Sequence, residues 1–303
     1  MQKILITGAN GFIGQNLVQK LLLKKNIIIA TGKGASRLPF DTAQFVFESM
    51  DFTDEVSVEE VFQKHRPDVV VHCGAWSKPD DCELNREEAY KVNVTGTIHL
   101  LKKAAQLRSF FIFLSTDFIF DGVQNIYREE SAADPVNYYG QTKFLAEEEV
   151  KKYPYDWSIV RPILVYGKCL KGRHNIVSMV AEALQEGRVI SIVDDQVRTP
   201  TYVEDLVDGI ISIIEKRCTG IFHLSGEEVL TPFRMACAVA RYLEKDESLV
   251  KRVTADNFQQ PAKRPGRTIF DLSKAKRELA YQPVTFEEGL RRTLGMTSGG
   301  EDR

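Results

Sequence analysis

The chain has 303 residues, 43% of them hydrophobic, and a formal net charge of -2. That length can bury a large core, as one domain or as one domain with a smaller lobe. The near-neutral balance gives no electrostatic case for nucleic acid, and no apolar run approaches the roughly 20 residues of a membrane span. The N-terminus enters an apolar strand without the charged, apolar and cleavage regions of a secretory signal. Cys73, Cys82, Cys169, Cys218 and Cys237 are scattered and odd in number. Without CxxC pairs or a disulfide framework they read as reduced thiols of a cytoplasmic protein, and they offer no metal site. The expected partner is therefore a small molecule, with neither nucleic acid nor membrane.

In chain order, the apolar run Ile4, Leu5, Ile6 leads into Thr7-Gly-Ala-Asn-Gly-Phe-Ile-Gly14, and Leu17, Val18, Leu21 and Leu22 follow at helical spacing. Strand, glycine-rich turn and helix in that order suit a dinucleotide site. Gly8 permits a tight turn, Gly11 lets backbone approach a pyrophosphate, and Gly14 lets the helix pack closely on a sheet. A diphosphate would meet the free N–H groups at the helix N-terminus, where the dipole favours negative charge. Gly8, Asn10, Gly11, Phe12, Ile13 and Gly14 are thus expected to contact the cofactor; the alternative is an ordinary glycine turn. The second strand, Asn26 to Thr31, ends in Thr-Gly-Lys-Gly-Ala-Ser-Arg. An acidic residue there usually holds the ribose hydroxyls of NAD, but this segment offers Lys33 and Arg37. Either they meet a 2′-phosphate, which predicts NADP (NADPH) over NAD, or they are solvated loop charges. The third strand, Gln44 to Ser49, delivers Asp51 and Phe52 towards the adenine, and Thr53 or Asp54 caps the next helix.

The fourth strand, Asp68 to Cys73, is nearly all apolar, as a doubly covered parallel strand should be. Cys73, Gly74 and Ala75 are expected beside the cofactor, the last two being small enough to let it lie close. A long helix is predicted from about Arg86 to Leu107 and contains Asn93. The fifth strand, Phe110 to Leu114, delivers Ser115, Thr116 and Asp117. After turn signals at Asp121-Gly122 and Asp134-Pro135, Tyr139-Gly-Gln-Thr-Lys143 opens a helix. The spacing of four puts Tyr139 and Lys143 on one face. A sixth strand spans Ser158 to Val160. This alternation predicts an α/β fold, a doubly wound parallel sheet with right-handed crossovers over residues 1–167, of the Rossmann type that binds NAD(P). Beyond Gly167 the rhythm loosens. Helices are predicted near Ile176 to Glu186, Val203 to Lys216 and Pro232 to Leu243, with strands at Val189 to Val193 and Ile221 to Leu224. Residues 168–303 are accordingly read as mainly a smaller C-terminal substrate lobe, interleaved with the first, part of 189–225 completing the sheet. The last seven residues are expected to fray.

Thr116, Tyr139 and Lys143 suit hydride chemistry at a carbonyl. The developing alkoxide needs a proton donor, and a free tyrosine, with a pKa near 10, gives up its proton too reluctantly. A lysine one helical turn away favours the phenolate and lowers that value. The Thr116 hydroxyl would hold the carbonyl oxygen in line. Singly each is bland, since YxxxK arises by chance and threonine commonly follows a strand. In this order, after a glycine-rich turn, they point to catalysis.

TGANGFIG, the STD that ends the fifth strand, YGQTK and RPILVYG resemble the extended short-chain dehydrogenase/reductase family over essentially the whole chain. Within it, Ser115 to Gly122 resembles the STDYVFDG of the dTDP-4-dehydrorhamnose reductase branch, and Asp195 to Thr201 its DQxGxPT; Lys263-Arg264-Pro265 is a further mark. Phe118 stands where that branch usually has tyrosine and Arg198 where it usually has glycine, removing a hydroxyl and adding a cation. The resemblance implies NAD(P)H-dependent reduction of a 4-keto group on a nucleotide-linked deoxysugar. Tyr139 would supply the proton, Lys143 would also hold the nicotinamide ribose, and Asn93 would organise the site. Thr116, Asp117 and Phe118 would face the sugar. Asn175, Arg198 and Arg264 would either meet the nucleotide diphosphate, where guanidinium and amide donors suit phosphate oxygens, or pack the lobe. A homodimer is an expectation of the same kind.

Three rivals stand beside this reading. A 4,6-dehydratase would place Asp then Glu after the threonine, whereas Asp117 is followed by Phe118. A 4-epimerase keeps the same Thr, Tyr and Lys, with NAD bound. A non-catalytic binding subunit, like the regulatory β subunit of methionine adenosyltransferase, also has an arginine in the QxxxPT region.

Overall fold

The computed structural model describes residues 1–170, 175–257 and 260–295; the tail expected to fray lies outside them. The first half alternates as its hydrophobic runs predict: β1 (Lys3–Thr7), α1 (Phe12–Leu21), β2 (Ile27–Gly32), β3 (Phe45–Ser49), α2 (Glu55–His65), β4 (Val69–His72), α3 (Pro79–Leu84), α4 (Arg86–Tyr90), α5 (Gly96–Leu107), β5 (Phe110–Leu114), α6 (Tyr138–Lys151) and β6 (Trp157–Pro162). The second half adds β7 (Val165–Tyr166), α7 (Ile176–Gln185), β8 (Ile190–Val193), β9 (Val197–Arg198), β10 (Thr201–Tyr202), α8 (Val203–Lys216), β11 (Gly220–Leu224), α9 (Pro232–Tyr242), β12 (Val250–Val253), β13 (Arg267–Thr268), α10 (Ser273–Leu279) and α11 (Phe286–Leu294).

Seven strands form one parallel sheet in the order β11-β6-β5-β4-β1-β2-β3. Strand side chains alternate between its faces. Ile4 and Ile6 of β1 join Leu17 and Val18 of α1 and Leu206 and Ile210 of α8 on one side. Leu5 joins Val58 of α2, Leu100 of α5 and Ala146 of α6 on the other. Both faces are covered by helices, so the strands must be apolar throughout. A third core links Val180 of α7, Met235 of α9 and Leu290 of α11 and carries the C-terminal lobe. The order reverses between β1 and β4, and in open α/β sheets ligands bind outside the carboxyl ends of the strands at such a switch point.

The helix expected from Arg86 to Leu107 is not one regular helix. Lys91–Thr95, between α4 and α5, is a π-helical turn. Such turns insert a residue and re-aim side chains, often at functional sites. Here the turn carries Asn93, whose carbonyl accepts a bond from Thr97 Oγ1 at 2.7 Å.

Candidate active site

The glycine-rich turn lies where β1 meets α1. Gly8 has φ +65, and a Cβ there would lie 2.7 Å from Gly74 Cα at the end of β4. A Cβ on Gly14 would fall 2.7 Å from Ala9 Cα. These two positions let β1, β4 and α1 converge. Gly11 is the N-cap of α1 and has no capping side chain, which leaves the start of the helix open to an anion. Phe12 and Ile13 form the first turn of α1, with Ile13 packed on the core.

A cavity of about 530 Å³ runs from this turn along the carboxyl edge, lined by Gly8, Gly32, Asp51, Phe52, Gly74 and Trp76 among others. Ala75 and Lys33 also border it. Asn10 ties the turn to the loop after β2: its Nδ2 donates to Ala35 O at 3.0 Å and its Oδ1 accepts from Arg37 N–H at 2.8 Å. Lys33 Nζ lies 2.7 Å from Asp51 Oδ2. That bond raises the lysine's pKa. Burial acts to raise the Asp51 carboxyl, but the bonds from Lys33 and Thr53 outweigh it and leave it lowered. The cation proposed for a 2′-phosphate and the carboxylate proposed for the adenine are thus one ion pair. The Phe52 ring packs edge-on against His72, with centroids 5.1 Å apart. Burial pushes the Cys73 thiol up to about 12, so this sulfur stays protonated beside the cavity.

Thr116 follows β5 and is buried. Its Oγ1 accepts from Phe118 N–H at 3.2 Å and donates to Asp117 Oδ1 at 3.3 Å. The next functional segment is α6, which Asn137 starts by accepting from Gly140 N–H at 2.9 Å. Asn137 Nδ2 also donates to Lys263 O at 2.7 Å, so the basic segment near the C-terminus is fastened to the start of this helix. Tyr139 and Lys143 lie on one helix face and both are buried. The Tyr139 ring meets Phe118 edge-on, with centroids 5.8 Å apart. Lys143 Nζ donates to Leu114 O at 2.7 Å and lies 3.8 Å from the centre of the Phe113 ring. Burial lowers its pKa to about 7, against the opposing charge of Glu147. Thr116, Tyr139 and Lys143 are therefore gathered around the end of β5.

Asn93 locks this arrangement to the cofactor cavity. Its Oδ1 accepts from Trp76 N–H at 2.8 Å, and its Nδ2 donates to Trp76 O at 3.1 Å and to Thr142 Oγ1 at 2.9 Å.

The residues expected at a nucleotide diphosphate are each engaged by protein groups. Asn175 caps α7, accepting from Val177 and Ser178 N–H, and its Nδ2 donates to Gly167 O at 2.7 Å. Arg198 is buried: Nη2 donates to Pro265 O at 2.6 Å, Nη1 to Val197 O at 2.8 Å, and Nε lies 3.7 Å from Asp117 Oδ2. Asp117 is equally buried and accepts from Thr268 Oγ1 at 2.6 Å. Burial raises its pKa against the pull of Arg198. Arg264 grips Asp80 of α3 with two bonds of 2.7 and 2.5 Å.

Trp76, Thr142 and His72 were not visible as site residues from sequence. His72 Nδ1 lies 2.6 Å from Thr7 Oγ1 and Nε2 lies 3.1 Å from Thr97 Oγ1, behind the cavity. Burial keeps its ring neutral, with a pKa well below the ordinary value. A histidine inside an apolar strand run was the signal available. Among the described residues, no group of three or more His, Cys, Asp or Glu side chains is placed to hold a metal ion, and no helix is long and apolar enough to cross a membrane. Among the described residues no disulfide joins any of the five cysteines.

The family model described as RmlD substrate binding domain matches residues 1–298. Methionine adenosyltransferase 2 subunit beta of Xenopus tropicalis is 31% identical over 299 residues, 97% of this chain and 87% of that protein. Spore coat polysaccharide biosynthesis protein SpsK of Bacillus subtilis is 28% identical over 305 residues, spanning 100% of both chains. The crystal structure of dTDP-4-dehydrorhamnose reductase from Bacillus anthracis in complex with NADP superposes with a TM-score of 0.83 and 28% identity, covering 96% of this chain and 98% of that one. A seven-stranded Rossmann sheet, a glycine-rich turn at its switch point and a Tyr/Lys pair beside β5 agree with these matches: the chain belongs to the RmlD substrate-binding-domain family of extended short-chain dehydrogenases/reductases.

Proposed function

We propose that this protein uses NADPH to reduce the 4-keto group of a nucleotide-linked deoxysugar. The observation that carries the reading is the convergence of Thr116, Tyr139 and Lys143 at the end of β5, next to the glycine-lined cavity. The residues present fit a dinucleotide, since a Cβ at Gly8 would close the approach to Gly74 and the open start of α1 suits a diphosphate. Gly8, Gly11, Phe12, Asp51, Gly74 and Lys143 would hold it, with Arg37 or Lys33 at the 2′-phosphate. The reduced nicotinamide supplies the hydride when bound.

The chain's own groups supply the rest. The Thr116 hydroxyl turns from Asp117 to donate to the substrate carbonyl. Tyr139 O–H gives its proton to the developing alkoxide, forming the alcohol and leaving a phenolate. The Lys143 ammonium stabilises that phenolate. Asn93 fixes α6 against the loop bearing Trp76, so the donor and the cavity keep their relative position. A panel of 4-keto nucleotide sugars with NADPH and with NADH, followed at the nicotinamide absorbance, tests this. Turnover faster with NADPH supports the reading, and no turnover on any member of the panel contradicts it.

A second reading is supported by the 31% identity to a methionine adenosyltransferase subunit and by Arg198, whose side chain sits buried against Asp117 beside Thr116. In that reading the protein binds NADP without turnover and acts as a regulatory subunit.

A further inference from the structure

α6 carries a third ionisable residue on the face that bears Tyr139 and Lys143. Glu147 is four residues beyond Lys143, and that spacing stacks side chains with their Cβ atoms about 5–6 Å apart. Its side chain is fully buried, as is that of Arg161 on β6. Arg161 Nε and Nη2 donate to the two carboxylate oxygens at 2.9 and 2.6 Å. Arg161 Nη1 donates to Glu129 O at 3.1 Å and lies 3.3 Å from His223 Nε2 of β11, and the guanidinium lies 5.3 Å from the Phe120 ring centre. The guanidinium is thus spent on Glu147 and on groups of β11 and the loop after β5. From the other side Lys143 faces His72 of β4 and Cys73 just after it, where burial keeps the imidazole and thiol uncharged. Tyr139 is the remaining ionisable group on its own helix face. Among the described residues, Glu147 is the carboxylate whose charge opposes the cost of burying the Lys143 ammonium.

We propose that Glu147, gripped at both carboxylate oxygens by Arg161 and one helical turn from Lys143, is a positioning residue that serves as counter-charge to the Lys143 ammonium, so that Tyr139 has its cation. This rests on reading Tyr139 and Lys143 as the proton-donating pair. A purely structural ion pair would do the same packing with no influence on Lys143, and its replacement by apolar residues of similar volume is often tolerated.

The test is the NMR titration of the Lys143 Cε resonance in cofactor-free, lysine-labelled protein, assigned by loss of the signal in Lys143→Met. It compares the unaltered protein, Glu147→Asp and the Glu147→Met/Arg161→Met double variant. The titration midpoint should fall by about one pH unit or more in the double variant and stay near its original value in Glu147→Asp, which keeps the charge. An unchanged midpoint in the folded double variant overturns the proposal. If that variant does not fold, Glu147→Gln/Arg161→Gln, which retains a hydrogen-bonded pair without charge, is read the same way. NADPH binding is measured on the same samples: its absence in the unaltered protein would sink the cofactor reading while leaving the lysine titration readable.

Discussion

The side-chain amide of Asn93 pairs with both backbone polar groups of Trp76, accepting from its N–H at 2.8 Å and donating to its carbonyl at 3.1 Å. A buried amide that satisfies a loop peptide in this way fixes the loop as a strand neighbour would. The π-helical turn makes it possible, because it aims Asn93 inward across to Thr142 of α6. Asn93→Ala removes three hydrogen bonds; Trp76 O keeps its bond from Cys82 Sγ and Thr142 Oγ1 its bond to Tyr139 O, but Trp76 N–H loses its partner, and an unsatisfied group of this kind costs about 1–3 kcal/mol. Chemical denaturation should therefore show a loss of about 2 kcal/mol or more, with weakened NADPH binding. Unchanged stability would mean that water or a rearranged loop replaces the amide.

Cofactor choice should depend on the loop that Asn10 holds. Lys33 is neutralised by Asp51, whereas among the described residues Arg37 is anchored only through its backbone N–H. Arg37→Ala should lower the NADPH to NADH affinity ratio more than Lys33→Ala does. The double variant should lose most of the preference, measured by cofactor fluorescence titration. An unaltered ratio in the double variant contradicts the assignment.

Lys143 should trade stability for function in a pH-dependent way. Its folded pKa of about 7 lies below the ordinary lysine value of 10.5. Between those values the folded state binds fewer protons than the unfolded chain, so this group's contribution to stability rises with pH. Below the window the folded protein carries the full cost of a buried charge. Lys143→Met removes that cost, so its Tm relative to the unaltered protein should be most favourable near pH 6 and decline towards pH 9. A difference that does not vary with pH would contradict the buried-charge account.

The Arg264–Asp80 pair distinguishes lobe packing from nucleotide binding. Two charged hydrogen bonds join α3 to the C-terminal segment, and hydrogen bonds to charged groups contribute about 1.5–3 kcal/mol. Arg264→Ala should lower Tm while leaving the KM for the nucleotide sugar nearly unchanged. A large rise in KM with no change in Tm would return Arg264 to the diphosphate.

The sheet and the Tyr/Lys pair were legible because they follow from local pattern. Val69 to Val71 must be apolar on both faces of a covered sheet, Gly8 must adopt a positive φ, and residues four apart on a helix share a face. The bonds of Arg198 to Pro265, Arg264 to Asp80 and Asn93 to Thr142 were not legible. They join segments distant in sequence, and an arginine's donors serve a phosphate or a carbonyl equally well. The π-helical turn was hidden for a different reason: Lys91 to Thr95, rich in the poor helix formers Val, Asn and Thr, reads as a weak stretch of α-helix, and the tertiary bonds of Asn93 are not visible in it. Lys33 and Asp51 were each visible, but their pairing depends on the adjacency of β2 and β3.

The most direct test of the account is Tyr139→Phe, which keeps the ring beside Phe118 and removes only the proton donor. In Tyr139→Phe, kcat for reduction of a 4-keto nucleotide sugar should fall by about 10²-fold or more, the range for a lost general acid, while the Kd for NADPH stays nearly unchanged. Near-normal kcat in Tyr139→Phe would contradict it.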